Sequence, residues 1–589
     1  MTEKKPGFWE NAPKPVTEDA PKADQPAGAG KPPTPRPAGT ARPFAAKPVG
    51  AGKSSAPRPA GTAGRPFAAR PVGAGTPPAS RPAGAGRPFA ARPVGAGKPL
   101  APRPAGAGRP FAARPVGTGK PLAPRPAMAR PAARPAVPAP PPLSLGARMV
   151  ALDVLTDVHQ RDAYATLALG DRLTRNSALS PRDKRLVTEL TYGTLENRIR
   201  LDYMLDFFLE RKDIEPMVRD ILRLGVYQLF FLDKVPQSAA VDESVKLTRA
   251  KDRETFTGLV NAVLRNMLRE PLRVQYPSPR TEPARYLSVT YSLPLWMAER
   301  FIACFGEAEA LAIAQYKPEE RAVTVRPNLE RTSVEAFEGF LKRRYLRTKP
   351  GIVPGAYRVE QPGDLTQEPE YQKGLFSIQG ESALLAAQAV GVQPGWTVLD
   401  ACAAPGGKTA VLAEAMRGSG RVHAWDVHEH RVALLRAMAA RLHVDNVRPA
   451  QRDAAVFRQD VEGTMDAVLV DAPCSGLGVM LNKPDVKYRQ TPESVASLVV
   501  LQREILDACC RYVRPGGVLV YATCSILPEE NQEQVAGFLA RHPEFAPDAL
   551  APLLPEALRA RAQGGELQLF AHRDGLDGFY IARMRRAGR

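Results

Sequence analysis

The sequence predicts a multidomain protein: a disordered N-terminal tail, an all-α domain, a small α+β module and a C-terminal α/β domain with a doubly wound, Rossmann-like sheet. Three observations lead to this fold class. Residues 1–142 are of low complexity, residues 143–282 show helical apolar spacing, and residues 393–589 alternate strands with helices. Residues 283–392 carry a mixed pattern, and a chain of 589 residues is too long for one hydrophobic core.

Residues 1–142 are dominated by Pro, Ala, Gly and Arg, and they contain too few large aliphatic residues to offset the entropy of ordering. A unit of the form RPAG…RPFAA(R/K)PVG(A/T)G recurs every 22 or 23 residues, starting at Arg36, Arg58, Arg81 and Arg103. Each unit has one Phe and one Val, too little apolar surface for a stacked solenoid. A tandemly duplicated, disordered tail is therefore expected.

The tail also carries almost all of the positive charge. The net charge is +20, and residues 1–142 hold 23 Lys and Arg against 5 Asp and Glu, which leaves 58 against 56 for the rest. A polycation of this kind suits the neutralisation of nucleic-acid phosphates. A solvated spacer is the alternative interpretation.

Six cysteines without a CxxC pair argue against a disulfide framework or a zinc site. The N-terminus lacks an apolar leader segment, and no run approaches the roughly 20 apolar residues of a membrane span. We therefore expect a cytoplasmic, monomeric protein with reduced thiols, no metal and no membrane contact.

The folded part can be followed by its periodicity. Six or seven helices are expected in the all-α domain, with turn signals such as Ser180-Pro181 between them. In the α+β module we expect two strands and two helices. In the last domain we expect five strands, with the reactive loops at their carboxyl ends. Two strand-like runs around a DG turn should follow.

The loop from Asp400 to Thr409 places Gly406 and Gly407 where a strand turns into a helix, which exposes backbone amides at a helix N-terminus to a ligand. It ends in Gly-Lys-Thr like a Walker A loop, but Cys402 stands where that motif needs glycine. Binding of a nucleoside triphosphate is therefore not expected.

Four acids end four successive predicted strands and together suggest a nucleoside pocket. Asp426 lies 20 residues beyond Gly406, where an acid binds ribose hydroxyls, and Asp453 is placed to meet an adenine amine. Asp400 and Asp471 complete the set. For each acid alone, an N-cap or a solvated loop carboxylate is the alternative.

Two cysteines follow predicted strands and should meet at one rim of the sheet. Cys474 lies in the sequence DAPCSG and Cys524 in YATCS. The remaining thiols are interpreted differently: Cys402 as a backbone contact for a cofactor, and the helical Cys304, Cys509 and Cys510 as inert buried groups.

At these residues the sequence resembles the Nop2/Sun (Fmu) group of RNA cytosine-C5 methyltransferases. The resemblance covers residues 145–589 and rests on DACAAPGGKT, DAPCSGLGV, NKPDVKY, YATCSILPEEN and DGFYIARMRR. The helical segments LRLGVYQLFFLDKVPQSAAVDESVKL and GLVNAVLRN resemble the NusB-like domain of bacterial enzymes that modify small-subunit ribosomal RNA.

The resemblance implies S-adenosyl-L-methionine as cofactor, RNA (16S ribosomal RNA) as substrate, Cys524 as nucleophile and Cys474 as the residue that assists release. The cofactor contacts that it implies are Cys402, Ala403, Ala404, Pro405, Gly406, Gly407, Lys408, Asp426, Asp453 and Asp471. One position departs from the family pattern, because Gly380 follows Gln379 where the family often has Asp.

This chemistry explains the need for two thiols. Cytosine C5 is a weak nucleophile until a thiolate adds at C6, and that covalent step replaces one high barrier by smaller ones. Asp471 could hydrogen-bond N3 as charge develops there. Cys474 could then act as a base during release.

Two other functions were considered. A NusB-like RNA-binding or antitermination factor with an inactive sheet domain is disfavoured because both rim cysteines are present. A methyltransferase for a small molecule or a protein is disfavoured by the basic tail and by Lys483, Lys487 and Arg489, which point to a polyanionic substrate.

Overall fold

The structure, a computed structural model, describes residues 145–318, 322–345, 347–360 and 362–588. The tail predicted over residues 1–142 lies outside the described residues. Within the described part of the chain, the helices are too short or too polar to cross a bilayer.

An all-α domain comes first, as the periodicity predicts. Its seven helices are α1 (Leu145–Gln160), α2 (Ala165–Arg175), α3 (Pro181–Glu196), α4 (Arg198–Asp206), α5 (Pro216–Phe231), α6 (Gln237–Ala250) and α7 (Thr257–Arg269). The start of α3 follows from Ser180, whose side chain accepts a hydrogen bond from the amide of Asp183. Helix α5 lies at the centre, since apolar residues cover most of its circumference and eleven of its residues are buried.

Three further helices occupy the start of the segment that the sequence assigned to an α+β module: α8 (Pro283–Tyr291), α9 (Leu295–Phe305) and α10 (Glu307–Gln315). Their buried side chains share one core with Leu477, Ile526 and Phe570 of the C-terminal domain. Each helix has only 9 or 11 residues, so its apolar stripe is too short to stand out without that partner surface.

The small sheet follows, with the elements β1 (Ala322–Pro327), α11 (Val334–Arg344), β2 (Thr348–Pro350), β3 (Tyr357–Glu360), α12 (Pro369–Gln372) and β4 (Phe376–Ile378). Its strands pair antiparallel in the order β2-β3-β1-β4. Helix α11 covers one face through Phe337, Phe340 and Leu341.

The C-terminal domain contains α13 (Glu381–Gln388), β5 (Thr397–Asp400), α14 (Gly407–Ala415), β6 (Arg421–Asp426), α15 (Glu429–Leu442), β7 (Val447–Gln451), β8 (Met465–Asp471), α16 (Pro492–Cys509), β9 (Val513–Thr523), α17 (Gln532–Arg541), β10 (Phe545–Pro547), α18 (Glu556–Arg559), β11 (Glu566–Leu569), α19 (Ala571–Asp574) and β12 (Phe579–Arg586). The sheet order is β10-β12-β9-β8-β5-β6-β7, with β11 paired to β12.

Strands β7, β6, β5, β8 and β9 are parallel, and β12 is antiparallel to β9. From β5 the strand order continues through β6 and β7 on one side, whereas β8 and β9 lie on the other side of β5. The order of the strands therefore reverses between the neighbouring strands β5 and β8. In such sheets the ligand-binding crevice lies at the carboxyl ends of the strands beside this reversal. The loops after β5, β8 and β9 therefore surround one site.

The end of the domain differs from the predicted strand pair around a DG turn. Strands β11 and β12 do pair, but α19 lies between them. The carboxylate of Asp574 accepts the amide of Phe570 at 2.7 Å, and Gly575 ends the helix at a φ of 62°. This local hydrogen bond favours a helical turn over a two-residue hairpin.

Candidate active site

The loop between β5 and α14 turns at a position that only glycine tolerates. Gly406 has a φ of 111°, and a Cβ there would lie 2.6 Å from the Cε atom of Met438. Helix α14 begins at the next residue, Gly407, so its first amides have no hydrogen-bond partner within the helix. This geometry suits an anionic group of a ligand, such as a carboxylate.

Asp400, the last residue of β5, stabilises that loop through a contact with α14. Its carboxylate is fully buried and accepts a hydrogen bond from Thr409 Oγ1 at 2.7 Å, while Oδ1 has no partner among the described residues. Burial raises the pKa of Asp400 to about 7. Of the four acids that the sequence singled out, Asp400 is thus a buried support of the loop and does not line the pocket.

Asp426 ends β6 and is buried, and its carboxylate accepts the amide of His428 at 3.1 Å and pairs with Arg431 at 3.2 Å. A carboxylate has about four acceptor positions, so two remain for ribose hydroxyls. Asp453 is exposed two residues beyond β7, and it accepts the amide of Ala455 at 2.9 Å. It follows β7 and does not end it, because the ladder with β6 stops at Gln451.

These features fit S-adenosylmethionine. The amides at the start of α14 match its carboxylate, and the free acceptor positions of Asp426 match its ribose. Val427 and Val456 are exposed apolar side chains next to the ends of β6 and β7, where an adenine ring needs apolar contact. Of the predicted contacts, Cys402 to Gly406 lie in the loop between β5 and α14, and Gly407 and Lys408 are the first two residues of α14.

Lys408, at the start of α14, contacts the end of β8, from which the loop of Cys474 continues. Its Nζ atom donates to Asp471 Oδ2 at 2.7 Å and lies 5.3 Å from the ring centroid of Phe579. Burial by itself would lower the pKa of Lys408, but the charge of Asp471 raises it above the ordinary value. Lys408 is therefore a cation that fixes Asp471 at the carboxyl end of β8.

The two rim cysteines meet as predicted from their places after β8 and β9. The Sγ atoms of Cys474 and Cys524 are 3.3 Å apart, and both residues are partly exposed. The hydrogen bond from Cys474 lowers the pKa of Cys524 against the effect of burial, and the charges of Lys408 and Lys483 lower it further. The same hydrogen bond and burial raise the pKa of Cys474. The pair is therefore unequal, with the thiolate favoured on Cys524.

A buried acid that the sequence analysis did not single out holds the two cysteine loops together. Both carboxylate oxygens of Glu530 accept from Ser475, one from its amide at 2.7 Å and the other from its hydroxyl. The hydroxyl of Ser525 donates to the same carboxylate, as does Gln502 at 3.0 Å. A signal was present, because the dipeptide Cys-Ser follows both strands and an acid stands six residues after Cys524.

Two of the three basic residues near Cys474 bind the all-α domain, so the prediction that they face a polyanion is wrong for them. Lys487 is buried and donates to the carbonyl oxygen of Glu196 at 2.9 Å. Arg489 donates to the carbonyl oxygens of Asp162 and Ala163. Lys483 is exposed and stays available to a substrate.

The other cysteines are far less reactive. Burial raises the pKa of Cys402 well above its usual range and raises that of Cys510 to about 12. Burial also raises the pKa of Cys304 and of Cys509. These thiols stay protonated near neutral pH and lack the activation that Cys524 receives.

Gly380, which departs from the family pattern, lies beside another acid. A Cβ at Gly380 would be 3.5 Å from Asp577 Oδ2. The next residue, Glu381, is buried and accepts from the amide of Val353 at 2.8 Å and from Arg358 at 2.6 Å. Glu381 thus joins the small sheet to α13.

Comparison with known proteins agrees with this architecture. Residues 387–585 match the family described as 16S rRNA methyltransferase RsmB/F, and residues 145–269 match the NusB family. The chain is 36% identical to a probable ribosomal RNA small subunit methyltransferase B of Bacillus subtilis (strain 168), over 75% of this chain and 99% of that protein. It is 30% identical to the ribosomal RNA small subunit methyltransferase B of Shewanella oneidensis, over 75% of this chain and 99% of the relative.

Among solved structures, the chain is similar to that of PH0851, with a TM-score of 0.65, 25% identity, and coverage of 76% of this chain and 99% of the other. The similarity to these relatives includes the helical domain as well as the sheet, and it spans nearly their whole length. With S-adenosylmethionine as its cofactor, the chain belongs to the 16S rRNA methyltransferase RsmB/F family.

Proposed function

We propose that this protein transfers a methyl group from S-adenosylmethionine to C5 of a cytosine in small-subunit ribosomal RNA, in the cytoplasm, through a covalent bond between Cys524 and cytosine C6. The observation that carries the proposal is the pair of thiols 3.3 Å apart, with the pKa of Cys524 lowered and that of Cys474 raised. Two adjacent thiols with opposite proton affinities suit one thiol that bonds and one that releases.

The first half of the reaction uses the thiolate. Cys524 Sγ forms a bond to C6, and the electrons of the C5–C6 double bond move toward N3. N3 takes up a proton from solvent, which it returns when the ring is restored, and donates that proton in a hydrogen bond to the carboxylate of Asp471, which Lys408 holds. When bound, S-adenosylmethionine would supply a sulfonium methyl group to the nucleophilic carbon C5, and S-adenosylhomocysteine would leave. The loop between β5 and α14, together with Asp426, would hold it.

The second half restores the aromatic ring. The raised pKa of Cys474 depends chiefly on its hydrogen bond to Cys524. Once Cys524 is bonded to C6 it carries no charge, so the largest of the effects that raise the pKa of Cys474 is removed, while burial and the charge of Glu530 remain. The pKa of Cys474 therefore falls, and the thiol gives up its proton to solvent at this stage. Cys474 then takes the proton from C5 as the C6–S bond breaks, and Cys524 leaves as a thiolate.

A cleft that Cys474 and Cys524 do not line supports an RNA substrate at a second place. A cleft of about 720 Å³ is lined by residues of the helical domain, the small sheet and the C-terminal domain, among them Tyr227, Thr324 and Asn482. Asn482 belongs to the loop that continues from Cys474, and it donates to Asp577 at 2.7 Å. A cleft of this size accommodates a nucleotide of the RNA outside the thiol site.

Bisulfite mapping of small-subunit ribosomal RNA tests the proposal. Cells that lack this protein should lose one bisulfite-resistant cytosine, and the wild-type gene should restore it. Cys524→Ala should fail to restore it, whereas Cys304→Ala, a partly buried thiol in α9, should succeed. Restoration by Cys524→Ala would refute the covalent mechanism, and an unchanged map in the deletion strain would refute the substrate.

A further inference from the structure

Glu530 is fully buried and is bonded to the residue that follows each cysteine. We propose that Glu530 is a positioning residue that holds the loops of Cys474 and Cys524 in the arrangement in which one thiol donates to the other. This inference rests on the proposed function, because it concerns the same pair of thiols.

The first argument is the match between donors and acceptor. Four donors converge on the carboxylate: the amide and hydroxyl of Ser475, the hydroxyl of Ser525 and the amide of Gln502. A carboxylate offers about four acceptor positions, whereas a carboxamide of the same shape has one acceptor oxygen and two donors. Only the ionised acid satisfies both loops at once.

The second argument is the rigidity of Glu530 itself. Its carbonyl oxygen accepts from the hydroxyl of Tyr521 at 2.7 Å. The neighbouring Asn531 donates to the carbonyl oxygen of Ser525 at 3.0 Å and accepts from Thr523. The backbone of Glu530 is thus fixed to the end of β9, and its carboxylate binds Ser475 in the loop after β8.

The third argument concerns charge. The four donors to the carboxylate are uncharged, so its negative charge is felt by the thiols beside it. The pKa of Cys474 is raised first by its hydrogen bond to Cys524 and by burial, and the charge of Glu530 adds to this. Around Cys524, Lys408 and Lys483 act in the opposite sense, and Asp471 opposes them. Glu530 therefore helps to keep the shared proton on Cys474.

The experiment compares Glu530→Gln with Glu529→Gln. Glu529 is the adjacent acid, and it pairs with Arg300 away from the thiols. A bifunctional bromobimane, which fluoresces fully only after it alkylates two neighbouring thiols, reports their proximity in the resting protein. The variants Cys474→Ala and Cys524→Ala each lack one of the two thiols and give the background fluorescence that is expected without a bridge.

We expect Glu530→Gln to lose most of the bridging signal and to lower kcat about 10- to 100-fold with little change in KM for RNA, as expected for a small misplacement of reacting groups. Glu529→Gln should behave as wild type. Wild-type bridging and wild-type kcat in Glu530→Gln would overturn the proposal.

A pH profile separates positioning from mere support of the fold. In a Cys524→Ala background, the alkylation of Cys474 by a monofunctional bromobimane should reach half its maximal rate at a lower pH when Glu530→Gln is added. An identical profile would show that the charge of Glu530 does not act on Cys474, and it would overturn that part of the inference.

If Glu530→Gln does not fold, the variant with both Ser475→Ala and Ser525→Ala decides, because it keeps the acid and removes its hydroxyl links to the loops. Loss of the bridge between Cys474 and Cys524 supports the positioning role of Glu530, and a retained bridge overturns it. The proposed function fails by a different result. If the two thiols of the wild-type protein are bridged but the protein leaves cytosine unmethylated, the function is refuted and the positioning role of Glu530 stands.

Discussion

Lys487 gives a test of how the all-α domain is attached to the catalytic domain. Its side chain is 5% exposed, its Nζ atom donates to the carbonyl oxygen of Glu196, and burial lowers its pKa to about 7. The unfolded chain has a lysine pKa near 10.5. Between these two values the unfolded state binds more protons, so the free energy of unfolding should rise with pH and should be lowest below about pH 7.

The expected size follows from the linkage. One pKa unit corresponds to about 1.4 kcal/mol, so the free energy of unfolding should rise by up to about 2.7 kcal/mol between about pH 7 and about pH 9, and by about 1 to 2 kcal/mol if the site relaxes around the charge. Lys487→Met removes this titration. It also removes the hydrogen bond to Glu196, so the variant should equal or exceed wild type near pH 6.5 and fall below it near pH 9.

Thermal unfolding midpoints at these two pH values measure the effect as the difference between wild type and variant. Lys483→Met is the matched control, since Lys483 lies on the same segment and is exposed. Its pH dependence should parallel that of wild type. A parallel dependence in Lys487→Met would refute the reasoning, because it would mean that Lys487 is charged throughout or that the contact with Glu196 does not form.

Two further predictions concern the cofactor and the tail. Asp426→Ala should weaken the binding of S-adenosylmethionine by about 1 to 3 kcal/mol, or about 5- to 150-fold, because ribose hydroxyls lose their acceptor; calorimetry measures this, and unchanged affinity would mean that Asp426 does not contact the ribose. Removal of residues 1–140 should leave the unfolding midpoint and the methylation of RNA unchanged while RNA binding weakens and its dependence on salt flattens. A marked fall in the unfolding midpoint would contradict the prediction of a disordered tail.

Much of the fold and of the site follows from local patterns. Apolar spacing predicted the helical domain, and the alternation of strands and helices predicted the parallel sheet. Because the carboxyl ends of parallel strands share one edge of the sheet, the sequence also predicted that Cys474 and Cys524 meet.

The rest depends on contacts that a sequence does not display. Lys487 and Arg489 looked like substrate contacts because a basic residue near a catalytic loop reveals its charge but not its partner. Glu530 stands in a polar stretch, Pro-Glu-Glu-Asn, whose sequence is equally typical of an exposed helix start and of a loop with a buried acid. Helices α8, α9 and α10 were missed because the surface that orders them comes from residues between Leu477 and Phe570, far along the chain.

The covalent bond between Cys524 and RNA is the central claim, and its trapping in cysteine variants tests it most directly. The variants are incubated with small-subunit ribosomal RNA and S-adenosylmethionine and are then run on a denaturing gel. Cys474→Ala should accumulate a protein–RNA species that survives denaturation, since attack and methyl transfer proceed while expulsion of the thiol is slowed. Cys524→Ala and the double variant should show no such species and no methylated product. A stable adduct in Cys524→Ala would reverse the two roles, and full activity in both single variants would contradict the covalent mechanism.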